Sequence, residues 1–122
     1  MNKVKELHDK AMELAEKAFF SSRNKDNDSA IKYSFQAFLL EKTAAELIPS
    51  ELANEPSRSV LFRSAGWLAF NANDFNNARI MALKGLNGTL PNEIKIELEE
   101  LYNECTKKLI LNKDTIDAIN ER

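Results

Sequence analysis

Arg63, Trp67 and Phe70 stand at i, i+4 and i+7, a spacing that places a guanidinium and two aromatic rings on one face of a helix. A cation beside exposed aromatics is a frequent anchor set for a peptide or for a helix of another protein. The same spacing also suits a core, with Trp67 and Phe70 packed beneath a neighbouring helix and Arg63 paired with an acid such as Glu55 or Glu46. The other reactive residue types point away from catalysis. His8 is the one imidazole, beside Asp9 near the start of a helix, and has no nucleophile to serve. No Arg is followed four to six residues later by a His, the pattern of a small helical ribonuclease. Cys105 falls on an apolar stripe, where a buried, unreactive thiol is the ordinary outcome. Glu93, Glu97, Glu100 and Glu104 form a carboxylate stripe, but a helical di-metal centre needs Glu-x-x-His pairs, so the stripe reads as a solvated face. Three glycines, at 66, 85 and 88, cannot build a phosphate-cradling loop, and one His with one Cys cannot build a zinc cluster. No enzyme activity, cofactor or metal is expected.

The elements that must carry these residues are helices. Six glycines and prolines together, about 5% against an average near 12%, argue against a turn-rich sandwich or barrel. Apolar residues recur at three- and four-residue steps from Lys3 to Ser22, the stripe of a first amphipathic helix. The polar run Arg23 to Asp28 breaks it and offers caps to a second helix, about 28–48, which is apolar on two sides and so belongs between neighbours. Pro49 ends the second helix, and Glu55-Pro56-Ser57 opens a third, which continues to about Ala72. Asp74 caps a fourth, about 75–86, and Gly85 and Asn87-Gly88 supply its end. A fifth runs from about 91 to 111 with Ile94, Leu98, Leu101, Cys105 and Leu109 inward, and 112–122 reads as a tail or short extra helix. The 122 residues make one domain: a hairpin at about 3–48, a second at about 55–86, a capping helix and the tail.

Seventeen basic against nineteen acidic residues give a formal charge of −2, which favours neither nucleic acid nor an anionic membrane. The longest apolar stretch falls far short of a membrane span, and the first residues lack the apolar segment of a secretory signal. With one cysteine no internal disulfide can form, so the cytoplasm is the expected compartment. Local charge is uneven: residues 56–92 carry a net +3 and residues 93–104 a net −4. That polarity could steer an acidic segment or pair two copies, although acids early and lysines late in the fifth helix also suit its dipole.

The segment Phe62 to Leu86 resembles a tetratricopeptide repeat. Phe62, Ala65, Gly66 and Ala69 fall at the packing positions of that family's first helix, and Ala78, Ala82, Gly85 and Leu86 match its second. Asn73-Asp74-Phe75 stands where the family has Gly-Asp-Tyr. Small residues at 65, 66, 69, 78 and 82 would let two antiparallel backbones approach closely. Glu55 to Ala65 (E-P-S-R-S-V-L-F-R-S-A) with Ala78 to Gly88 also resembles a group of short bacterial helical proteins to which no activity is assigned. The resemblance implies an all-α, tetratricopeptide-like stack of two antiparallel hairpins and a capping helix, five or six helices in all. It also implies an inner groove lined by the first and third helices. There it places Met12, Ala15, Glu16, Phe19, Ser22 and Arg23 opposite Val60, Arg63, Ser64, Trp67, Phe70 and Asn71, while the family's lysine and asparagine clamp for a C-terminal carboxylate is not reproduced. The expected work is non-enzymatic binding of a peptide or partner helix through Arg63, Trp67, Phe70, Asn71, Phe19 and Arg23, with a homodimer as the alternative.

Overall fold

The computed structural model describes residues 2–120, and among these the chain is all α, with five helices, one short 3-10 turn and no strand. α1 spans Lys3–Arg23, α2 Asn27–Glu46, α3 Ser57–Asn71, α4 Phe75–Leu86 and α5 Asn92–Asn120, and the 3-10 turn Leu52–Asn54 bridges α2 and α3. No helix is long and apolar enough to cross a membrane, among the described residues.

Three helices begin on a short acceptor side chain that satisfies an otherwise orphaned backbone N–H. Asn2 accepts from Lys5 N at 3.3 Å, Asp26 from Ser29 N at 3.2 Å and Asp74 from Asn77 N at 3.2 Å. The turns joining α1 to α2 and α3 to α4 are the same structure. In each, a carbonyl four residues back accepts from Asn24 N or Ala72 N, the next residue has a φ of 61°, and an aspartate caps the following helix. Lys25 and Asn73 hold that left-handed conformation, which asparagine tolerates better than most residues. The two hairpins are thus one local design repeated at an offset of 48 residues, Asp26 to Asp74.

Each helix packs antiparallel on the next in sequence, and α3 also packs on α5. His8 meets Glu41 and Lys17 lies over the Tyr33 ring across α1 and α2, while Phe62 touches Gly85 across α3 and α4. Alternate helices run parallel: Arg63 pairs with Glu97, and Gly66 faces Leu101 four residues further along α5. The expected small residues at the crossings, Ala65, Gly66, Ala69, Ala78 and Ala82, are all buried. Phe38, Met81, Leu98 and Leu101 fill the space between them, each contributing about 1.5–3 kcal/mol by its burial.

One boundary differs from the sequence reading. The fifth helix does not stop near 111. It continues unbroken to Asn120, so capping helix and tail are one element of 29 residues, with residues 121 and 122 outside those described. Asn112, Lys113 and Asp114 dilute the apolar pattern, yet no glycine or proline intervenes to stop the helix. The third helix starts at Ser57, directly after Pro56.

The segment Glu55–Ser59 locks the second hairpin. Arg58 is buried, and its guanidinium donates to the carbonyls of Lys84 at 2.6 Å, Asn87 at 3.0 Å and Gly85 at 3.4 Å. These are the open carbonyls at the end of α4, where a cation also suits the helix dipole. Glu55 holds Arg58 at 3.2 Å and accepts from Ser59 Oγ at 2.6 Å, and the guanidinium lies over the Phe62 ring.

Candidate functional site

α1 and α3 lie side by side with α2 beneath them, and the seam between them holds two cavities. At its N-terminal end a cavity of about 560 Å³ is bounded by Val4, Lys5 and His8 of α1 and by Ser57, Val60 and Leu61 of α3, among others. At the other end a cavity of about 320 Å³ is bounded by Ala15, Ala18, Phe19 and Ser22 of α1, Ala30 and Ser34 of α2, and Leu68 and Asn71 of α3.

Between the two ends the three helices are tied by Glu41, whose side chain has no exposure. Its carboxylate accepts from Ser64 Oγ at 2.6 Å and lies 2.8 and 3.0 Å from His8 Nδ1. The carboxylate is thus the common partner of the imidazole and the hydroxyl. The order of the three groups matters chemically. A nucleophilic serine needs the imidazole next to its hydroxyl, with the carboxylate behind the imidazole. Here the carboxylate stands in the middle and Ser64 donates to it, so Ser64 gains no base and the trio acts as a tie between helices. Sequence reasoning assigned His8 no partner and passed over Glu41. The signal was a carboxylate four residues after Ala37 and four before Ala45, on a stripe that is otherwise buried.

The six residues singled out from the sequence divide into two groups. Phe19 and Asn71 border the smaller cavity, and Arg23 lies over the Phe19 ring at 5.8 Å from its centroid. Arg63, Trp67 and Phe70 share the outward side of α3. Trp67 remains 37% exposed, and its ring meets Phe70 edge-on at 5.2 Å. Phe70 in turn meets Phe75 of α4 at 5.1 Å, so it supports the tryptophan more than it faces solvent. Arg63 is paired, with Glu97 of α5, not with Glu55 or Glu46. Glu55 holds Arg58, and Glu46 holds Lys84 at 2.5 Å. The basic and acidic stretches of the sequence therefore meet inside one chain. Trp67 is thus partly open to solvent, while Phe70 is half-buried against the core.

Cys105 is buried between α4 and α5, and burial pushes its thiol up to about 11, an effect that nearby Arg79 only partly opposes. Among the described residues no cluster of His, Cys, Asp and Glu is placed to hold a metal ion. Comparison of the chain with protein-family models, with curated proteins and with solved structures returns no match.

Proposed function

We propose that the chain is a non-enzymatic interaction module with a tetratricopeptide-like stack, taking up a peptide or a partner's helix along the α1–α3 seam in the cytoplasm. The observation that carries this reading is the exposure of Phe19 and Trp67 at equivalent points of the two equivalent hairpins, on the two helices that border the seam. A tryptophan left partly open and braced by Phe70 is the kind of residue that anchors a partner. The repeated turn geometry and the parallel run of α1, α3 and α5 support the stacked arrangement. Arg63 serves in this reading by joining α3 to α5, and the residues that meet the partner are Phe19, Arg23, Trp67 and Asn71.

Photo-cross-linking tests the proposal. A photoreactive residue placed at Asn71 in living cells should give one adduct of defined mass, and the same residue at Leu39, on the outward side of α2, should not. The adduct should fall at least fivefold when Trp67→Ala is added with helicity retained. Equal labelling at both positions, or none at Asn71, would overturn the proposal. A second reading, self-association, rests on Ile110, Ile116 and Ile119, which are exposed along the last turns of α5. Light scattering that shows a monomer at every concentration would remove it.

A further inference from the structure

The larger cavity of the seam, about 560 Å³, falls in the ~300–1,000 Å³ range of small-molecule sites. Its walls are aliphatic: Val4 of α1, Ile48 and Ala53 of the connection between α2 and α3, and Val60 and Leu61 of α3. Two groups able to carry positive charge, Lys5 and His8, border it from α1. Among the described residues that line it, none is an aspartate or a glutamate. An aliphatic hollow with cationic groups on one side and no acid is complementary to an anion that has an apolar body.

His8 is the firmly placed member of the pair. Glu41, which has no exposure, lies 2.8 and 3.0 Å from Nδ1, and a carboxylate behind an imidazole sets the direction of the ring. The side chain of His8 nevertheless remains 39% exposed. Nε2 sits at the edge of the ring away from Glu41, and no described residue hydrogen-bonds to it. An imidazolium donates from both nitrogens, so His8 can keep Glu41 on Nδ1 and present Nε2 to an incoming acceptor. Lys5 is held less firmly. Its ion pair with Asp9, at 2.7 Å, joins two exposed side chains one helical turn apart, a kind of pair that contributes little and is easily exchanged.

We propose that this cavity binds an aliphatic monocarboxylate. His8 Nε2 and Lys5 Nζ meet its two oxygens, and its chain lies against Val4, Ile48, Val60 and Leu61. The proposal goes beyond the partner reading, which uses Phe19, Arg23, Trp67 and Asn71 at the opposite end of the seam, so either can fail without the other.

The test titrates octanoate, octan-1-ol and acetate, each alone, into the isotope-labelled chain. Octanoate should shift the amide signals of Val4, His8, Val60 and Leu61 and bind about tenfold more tightly than octan-1-ol, which has the chain without the charge. Acetate, which has the charge without the chain, should give no saturable shift, and hexanoate should bind roughly three- to tenfold more weakly than octanoate. Asparagine keeps a donor where Nδ1 stood and has none at Nε2. His8→Asn should therefore retain helicity and bring octanoate down to the level of octan-1-ol, whereas His8→Gln, whose amide nitrogen reaches the Nε2 position, should keep part of the preference. Ser57→Glu, which sets an acid on the exposed rim, should weaken octanoate and spare octan-1-ol. Equal binding of octanoate and octan-1-ol, octanoate no tighter than acetate, or a preference intact in His8→Asn and Ser57→Glu would overturn the proposal. So would the absence of any saturable shift with octanoate.

Discussion

Glu41 shows how one side chain can hold three helices. Its carboxylate is shared by His8 from α1 and Ser64 from α3, and it has no access to water. Removing it leaves a void and strips two polar groups of their acceptor, so Glu41→Ala should cost about 2–4 kcal/mol. Ser64→Ala, which loses one hydrogen bond at a half-buried position, should cost about 1 kcal/mol. Urea unfolding of both variants checks the ratio, and equal losses would mean that the carboxylate is not the tie. Glu41 was hard to read in the sequence because its partners lie 33 and 23 residues away and only the folded hairpins bring them together. Arg58 was equally silent: its neighbours in sequence say nothing of the α4 carbonyls it closes. The face that Trp67 shares with Arg63 and Phe70 was legible from spacing, but its exposure was not, since the same spacing suits a buried aromatic.

At the scale of elements, the two turns make the clearest case. Both place a non-glycine residue at a φ of 61°, asparagine in one and lysine in the other. Lysine pays more for that conformation, so Lys25→Gly should raise stability by about 1 kcal/mol in urea unfolding and Asn73→Gly by less. The cap that follows Lys25 adds a pH dependence. Hydrogen bonds from the side chain and backbone of Ser29 hold the Asp26 carboxyl below its ordinary 3.8. The stabilisation from a depressed carboxylate is complete above that ordinary value and is lost as pH falls through the folded one. Asp26→Asn, which keeps an acceptor at the cap, should therefore flatten the acid limb of the unfolding curve below pH 3.8 and leave the neutral region nearly unchanged. The helices themselves were legible because caps and apolar periodicity act locally. The end of α5 was not, because polar residues such as Lys113 are good helix formers and a fading apolar stripe does not stop a helix.

For the whole molecule, what counts is how closely α5 lies on the second hairpin. A Cβ on Gly66 would collide with Leu101 Cδ2, and one on Gly85 would come within 2.9 Å of Leu98 Cδ1. Leu98 and Leu101 are fully buried, so neither can swing away freely. Gly66→Val should cost about 1–3 kcal/mol, and the loss should be uneven. Hydrogen exchange should show α5 amides losing protection while those of α1 and α2 keep theirs. Uniform loss along the chain would argue that α5 is not a separable layer. This docking also explains the fate of the charge asymmetry. The sequence displays a basic stretch and an acidic one, but only the parallel lie of α5 on α3 brings Arg63 to Glu97. The parallel lie of α1 and α3 has a directional outcome as well. Two rods pointing the same way give the trough between them unlike ends, one rich in amide donors and the other in carbonyl acceptors, so a helix settling there is biased by a few tenths of a kcal/mol per end to run opposite to both.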